Sequence, residues 1–314
     1  MAKRKNYSGR RVGFTAPIDM NFLLQIAISG IAIGSIYSLV ALSFSFPFAV
    51  SRTVNFSQGQ AVMLGAVVYF TVSKIFALGA FISFVAVVAA GVLFGVLVAR
   101  IAIIPFVEKP ASSGSSGWLL STIAIGIVVE NLALLVFGSE ARAISFGVDG
   151  EALSFLDLRV QKYDAFIILV GVVVAVGLEY AINTSKLGII FRAVSDCKAQ
   201  AERIGINTTQ ALYAAYATST AFAFVSGILI APVFNVSATM GTVIGVKGFA
   251  VASVAGMISP LRMFFAGIIF GIVEAIATGY LGAGLREIVG FSLLLILISM
   301  FPNGVGILRK LRMV

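Results

Sequence analysis

Long apolar runs without a charged residue constrain this 314-residue chain more than any other feature. A helix that rises 1.5 Å per residue needs about 20 apolar residues to cross the hydrocarbon core of a bilayer. Only 11% of the residues are charged, where soluble chains carry about 25%. The apolar runs fall at 22–46, 57–76, 77–99, 118–138, 163–183, 210–233, 246–260, 262–281 and 286–303. The sequence therefore predicts an all-α, polytopic transmembrane helical bundle with about eight or nine spans.

The two ends of the chain differ from this apolar body. Residues 1–21 predict a basic, flexible extension. It is neither a span nor a signal peptide, because no apolar run follows its basic residues before Met20. Residues 22–307 form the predicted membrane domain, and 308–314 form a basic tail. The net charge of +9 indicates basic loops beside a membrane rather than a nucleic-acid-binding surface.

Missing residue types exclude several kinds of chemistry. The chain has no histidine, which excludes HExxH metal sites and histidine-based proton relays. It has no GxxxxGK[ST] phosphate-binding loop, and its single cysteine, Cys197, cannot form an internal disulfide. We therefore expect no catalytic site, metal or cofactor in this chain, and we expect it not to be an enzyme.

Basic residues in short loops predict the orientation in the membrane. The loop 184–209 and the tail 308–314 are expected in the cytoplasm, and the loop 139–162, with four acids, outside. Counting spans backwards then places the basic N-terminus outside. Either that extension is translocated despite its charge, or residues 22–50 cross an extra time. Pro47 predicts a kink or a break within that long run.

The loop 184–209 holds a concentration of charge within the apolar chain. Between Gly188 and Gly205, five apolar or small residues lie three or four positions apart, on one stripe of a helix: Ile190, Val194, Cys197, Ala201 and Ile204. This pattern predicts a short amphipathic helix at the cytoplasmic face. It could lie on lipid headgroups. Because its stripe uses Ala and Cys rather than Trp or Phe, docking to another protein is favoured.

Polar residues within the apolar runs are the candidates for a solute pathway, because burying them in a membrane is costly. The stretch VNFSQGQ (54–60) predicts irregular backbone that lines a cavity or is buried in protein. Two alternatives remain open: Glu274 could only join two helices, and Lys247 could extend to the membrane surface. The pathway candidates are Asn55, Ser57, Gln60, Glu130, Asn131, Lys247 and Glu274.

Several motifs occur along the chain: TSKLG (184–188) followed by Arg192–Ala193, Ala201 and GIN (205–207), then VNFSQGQAVMLGA (54–66), LLSTIAIGIVVEN (119–131), VKGFAVASVAGMIS (246–259), AGIIFGIVEA (266–275) and FPNGVGI (301–307). Together they resemble the permease family of branched-chain amino acid ABC transporters. Their order and spacing extend the resemblance over residues 22–307.

The resemblance implies a function for the charged loop. In this family it is the contact with a separate subunit that hydrolyses ATP, which accounts for the missing phosphate-binding loop. The implied ATPase-coupling residues are Gly188, Arg192, Ala193, Asp196, Ala201 and Gly205. It also implies a second permease subunit (the same or homologous), an extracytoplasmic solute-binding protein, surrounding lipid and location in the inner membrane. Nucleic acid is not an expected partner.

The implied substrate is a branched-chain or other amino acid, with urea, amides or nucleosides as alternatives. An ion-coupled secondary transporter is the less favoured mechanism, because no repeated halves with paired carboxylates are evident.

Three positions depart from the family pattern. Gln60 replaces an acid, Glu130 replaces an uncharged amide, and AGMISPLRM (255–263) replaces a glycine-rich stretch. The first two predict an exchange of acid and amide within one cavity. The third predicts a stiffer turn, and it weakens the assignment of the substrate more than that of the fold.

Overall fold

The computed structural model describes residues 20–107, 117–144, 152–155, 158–257 and 259–300. The basic tail and nearly all of the basic extension lie outside these residues. Strands β1 (Ala152–Phe155) and β2 (Leu158–Gln161) pair as a two-stranded antiparallel sheet. The described helices are α1 (Met20–Ser51), α2 (Gln58–Phe70), α3 (Ala80–Val98), α4 (Ile104–Val107), α5 (Gly117–Phe137), α6 (Lys162–Thr184), α7 (Lys186–Asp196), α8 (Lys198–Arg203), α9 (Thr208–Phe234), α10 (Met240–Ala255), α11 (Pro260–Leu281) and α12 (Arg286–Met300).

Six of the described helical stretches are long and apolar enough to cross a membrane, which confirms the predicted polytopic helical bundle. They are Asn21–Ser51, Ala80–Phe106, Gly117–Phe137, Lys162–Thr184, Thr208–Phe234 and Pro260–Leu281. The second of these continues from α3 into α4 through a π-helical turn, Ala99–Ile103. A similar turn, Thr71–Ile75, extends α2. Most predicted segments agree with these helices to within a few residues, but the second span continues to Phe106 rather than ending at residue 99, and α10 also differs.

Helix α1 forms the centre of the bundle and packs on α6, α9, α10 and α11. Every residue from 34 to 47 is buried. Its closest neighbour is α11, which runs antiparallel to it. A Cβ atom at Gly34 would lie 2.5 Å from the carbonyl oxygen of Gly267, so glycine is what lets the two backbones meet.

Of the kink or break predicted at Pro47, the break does not occur, because α1 continues to Ser51. Proline has no N–H, so the carbonyl of Ser43 one turn earlier loses its helical donor. The hydroxyl of Ser219 on α9 donates to that carbonyl instead. A neighbouring helix therefore satisfies the backbone group that proline leaves free, as a membrane interior requires.

Two shorter helices, α2 and α10, begin inside the bundle. After α1 the chain turns at Arg52, where φ is 55°, and α2 starts beside Ser219, near the middle of α9. Gly59 in the first turn of α2 packs directly on Gly241 and Gly245 of α10. Helix α10 begins at Met240, so the predicted start at residue 246 was six residues late. That prediction depended on hydropathy, which Gly241, Thr242 and Gly245 lower before residue 246.

The ends of α1 and α11 fix the direction of the chain through the bundle. Arg52 donates to Ser195 next to the end of α7, and Ser259 before α11 donates to Glu179 of α6. These contacts place the end of α1 and the start of α11 at the end of the bundle that carries α7 and α8, here called the coupling end. Since α1 is one continuous helix that starts at the opposite end, the extra crossing of residues 22–50 is not observed.

Candidate functional site

The charged loop folds into two helices rather than the single helix expected over 188–205. Cys197 has extended backbone (φ −158°, ψ 106°), which ends α7 and starts α8. The break rotates the second half of the predicted stripe. Val194 and Ala201 remain buried, whereas Ile204 is 74% exposed. Gly205, with φ of 88°, closes α8 as the sequence indicated.

The two faces of α7 and α8 divide the predicted coupling residues. Gly188 is buried against α6, and it packs so closely there that a Cβ atom would collide with the backbone of Ile182. Ala201 packs with Val194 and Ala211. Gly188 and Ala201 therefore pack the loop against α6 and α9. Arg192 and Asp196 are exposed, Ala193 is half-buried, and Arg192 also donates to the side chain of Asn183. The exposed side chains are the ones available to another protein.

The stretch VNFSQGQ is buried in protein, with a hydrogen-bond partner for almost every polar group. Asn55 accepts from the hydroxyl of Ser57 at 2.7 Å and donates to Gln58 at 2.9 Å. Gln58 donates onward to the hydroxyl and carbonyl of Ser219. Asn55, Ser57 and Gln58 are each no more than 1% exposed. This network holds irregular backbone at membrane depth and fixes the start of α2.

Gln60 and Glu130 meet in the structure. The Gln60 amide donates to the Glu130 carboxylate at 3.2 Å and to the hydroxyl of Thr242 at 3.1 Å. Thr242 donates to the same carboxylate oxygen at 2.6 Å. Within the described part of the chain, the Gln60 amide oxygen is buried and accepts no hydrogen bond. The three side chains bring α2, α5 and α10 together at one polar point.

A cavity of about 100 Å³ lies beside this point, between the first turns of α2 and α10. Gln60, Thr242 and the adjoining glycines form its polar side, and Phe44, Phe56 and Phe249 form its apolar side. Two helix N-termini meet here, and each carries partial positive charge from its free N–H groups. The helix ends therefore favour an anionic group, the nearby Glu130 carboxylate favours a cationic one, and the aromatic rings favour an apolar one.

A second polar cluster joins α10, α11, α12 and α1. Lys247 is 1% exposed and forms a 2.9 Å ion pair with Glu274, which is 2% exposed. The same carboxylate oxygen accepts from Tyr37 and from Arg286, each at 3.1 Å. Lys247 therefore does not extend to the membrane surface. Glu274 joins neighbouring helices, as the structural alternative expected.

The predicted pathway residues thus separate into groups. Gln60 and Glu130 meet, Asn55 and Ser57 support the chain just before them, and Lys247 and Glu274 form the ion pair. The side-chain amide of Asn131 donates to the carbonyl of Ile127 in its own helix, and this hydrogen bond links it to neither cluster. Sequence reasoning missed Thr242, Tyr37 and Arg286. Thr242 preceded the predicted start of α10, and Arg286 stood at the edge of an apolar run, where a charge is ordinary.

The sequence profile described as branched-chain amino acid transport system, permease component, matches residues 26–300. The chain belongs to this family. It is 26% identical over 298 residues to the high-affinity branched-chain amino acid transport system permease protein LivH of Salmonella typhimurium, covering 90% of this chain and 95% of the relative. It is 25% identical over 299 residues to BraD of Pseudomonas aeruginosa, with the same coverage. A probable permease of Methanocaldococcus jannaschii is 24% identical over 253 residues, 78% of each chain.

Family membership confirms the resemblance that the motifs predicted. The protein is a multi-pass inner-membrane transport permease, the membrane subunit of an ABC importer. The described helices, six of them long enough to cross a bilayer, agree with that assignment.

Proposed function

We propose that this permease carries branched-chain amino acids, received from an extracytoplasmic binding protein, past the junction of α2 and α10. The observation that supports this most directly is the Gln60–Glu130–Thr242 cluster beside the aromatic cavity. It offers separate environments for a carboxylate, an ammonium and an apolar side chain. The names of the curated relatives, which specify branched-chain amino acids, support the same substrate.

The energy for transport comes, in this proposal, from a separate ATPase subunit that docks on α7 and α8. The exposed residues Arg192 and Asp196 form the contact, and Gly188 and Ala201 hold the loop against α6 and α9. Movement of the ATPase then shifts α7 relative to α1. The two helices are linked by the hydrogen bond from Arg52, just after α1, to Ser195 of α7. A second permease subunit, identical or homologous, completes the transporter.

Copurification tests the assembly. The full-length chain is tagged, native membranes are solubilised gently, and the bound proteins are identified by mass spectrometry. We expect an ATPase with a phosphate-binding loop and one further permease, or a second copy of this chain. Recovery of the chain alone, with uptake that persists after ATP depletion but stops when ion gradients collapse, would instead support a secondary transporter.

Uptake assays test the substrate. Membrane vesicles that contain the assembled transporter and its binding protein are given labelled leucine, with urea and a nucleoside as competitors. We expect unlabelled isoleucine and valine to compete with leucine, and urea and the nucleoside not to compete. Competition by urea or the nucleoside alone would overturn the substrate assignment and leave the ATPase assembly untouched.

A further inference from the structure

An open apolar cleft of about 510 Å³ lies at the coupling end, and none of its lining residues comes from α2, α5 or α10, the helices that hold the Gln60–Glu130 cluster. Its fifteen lining residues come from α1, α3, α6, α7 and α9 and from the α6–α7 connection. Leu187 and Phe191 of α7 border it at one end. Along α9 it extends from Ala217 to Val225, which corresponds to about 12 Å of helix. The cleft is therefore elongated along the direction of the membrane-spanning helices.

The lining offers few polar groups to a solute. Of the lining side chains, just Ser185 and Thr218 carry a polar atom. The Ser185 oxygen accepts from the backbone N–H of Gly188 at 3.0 Å, and the Thr218 hydroxyl donates to the carbonyl of Ala214 at 2.7 Å. Water gains little in such a site, so the cleft suits a hydrocarbon chain.

The rim of the cleft carries positive charge. Lys186 lies between the lining residues Ser185 and Leu187, Arg192 follows the lining residue Phe191, and both cations are exposed. Two acids lie nearby. The carboxylate of Glu179 is engaged by Ser259 and the backbone of α11, and Asp196 lines a different cavity beside Arg52. Basic groups at a membrane-level opening between helices favour an anionic headgroup.

We propose that the cleft binds an anionic phospholipid of the leaflet at the coupling end. One acyl chain fills the space between α3, α6 and α9, and the phosphate lies beside Lys186. Because Leu187 and Phe191 border the cleft, the bound chain supports the inner side of α7. The lipid then contributes to the surface on which α7 and α8 pack, and its charge determines how strongly these helices are held there.

Measurement of retained lipid tests this site. The full-length protein, with whatever subunits remain bound, is reconstituted in vesicles of mixed phosphatidylglycerol and phosphatidylcholine, extracted again, and examined by native mass spectrometry. Val92→Trp fills the cleft from α3, where Val92 is 38% exposed. Val85→Trp is the matched control: it lies two turns away on the same face of α3, is 50% exposed and is outside the cleft lining.

We expect wild type and Val85→Trp to retain phosphatidylglycerol and Val92→Trp to lose it. Lys186→Glu, at an exposed position, should change the preference towards phosphatidylcholine without removing bound lipid. The proposal is overturned if Val92→Trp and Lys186→Glu both retain phosphatidylglycerol as wild type does. It is equally overturned if Val92→Trp separates two permease subunits while retained lipid is unchanged, because a protein then covers the cleft. These readouts do not depend on which solute is transported.

Discussion

The side-chain amide of Gln60 on α2 donates a 3.2 Å hydrogen bond to the carboxylate of Glu130 on α5, 70 residues further along the chain. The sequence suggested that these two positions exchange an acid and an amide within one cavity, and the structure places them in contact. Thr242 of α10 completes the group by donating to the same carboxylate oxygen. A single carboxylate is therefore shared by three helices at the point where two of them begin.

Exchange of the two side chains tests whether this carboxylate serves the solute pathway. Glu130→Gln removes the charge, and Gln60→Glu places two carboxylates in contact. Each change should lower leucine uptake about ten- to a hundredfold, because a hydrogen bond to a charged group contributes about 1.5–3 kcal/mol. The double change Gln60→Glu/Glu130→Gln returns one acid and one amide to the cluster and should recover much of the rate. Initial uptake rates, corrected for the amount of protein in the membrane, provide the measurement.

The neighbouring residue supplies the control for this experiment. Asn131→Gln alters an amide that bonds within its own helix, so uptake should change little. Wild-type uptake by both single variants at positions 60 and 130 would show that the cluster lies outside the pathway.

The ion pair between Lys247 and Glu274 predicts a large effect on stability. Lys247→Met leaves Glu274 buried with fewer partners, which should lower the free energy of unfolding by at most about 3–5 kcal/mol, since Arg286 still pairs with that acid. Adding Glu274→Gln should recover part of the loss. Denaturant unfolding of the purified single and double variants measures the coupling. Lys198→Met, at an exposed lysine, should have little effect. A loss of stability in the double variant equal to that in Lys247→Met would contradict the pairing.

The hydroxyl of Ser219 should be more important than an ordinary buried hydroxyl. It donates to the carbonyl that Pro47 leaves free on α1, and it accepts from Gln58 at the start of α2. Ser219→Ala should therefore cost about 1–3 kcal/mol of stability, the usual penalty for buried groups left without a partner. Thermal unfolding measures the loss. Ser226→Ala removes a buried hydroxyl on the same helix that donates to the carbonyl of Phe222 one turn earlier, and it should cost less.

Hydropathy predicted most of the fold because apolar length is nearly all that a bilayer requires of a helix. The long helices needed no further information. It failed at the start of α10, where Gly241, Thr242 and Gly245 lower the hydropathy. At Pro47 the local rule was correct, since the helix does lose a hydrogen bond, but Ser219, 176 residues away from Ser43, supplies the replacement. No local pattern predicts such a distant partner.

The candidate sites were predictable to a different degree. Ionisable residues within the apolar runs could be found from the sequence, which identified Glu130, Lys247 and Glu274. Their partners could not, because Thr242 and Tyr37 are residue types common in any membrane helix. The break at Cys197 was hidden because a helical stripe with a one-residue interruption still has a nearly helical period. The sequence thus located the charged groups, and only the structure shows which groups meet.

Charge changes at Arg192 and Ala193 of α7 test the coupling of ATP hydrolysis to transport. Arg192 is exposed and Ala193 is half-buried, so Arg192→Glu and Ala193→Asp should leave the fold intact while altering the surface offered to the ATPase. We expect leucine transport to fall about tenfold in each, which corresponds to ~1.4 kcal/mol, while ATP hydrolysis persists, so that fewer molecules are transported per ATP. Both rates are measured on the reconstituted transporter.

Lys74→Glu is the control, because it reverses an exposed charge after α2, far from α7 in the chain. Unchanged transport in both α7 variants would contradict the coupling role, and an equal loss in Lys74→Glu would show that charge reversal alone, rather than its position, caused the effect.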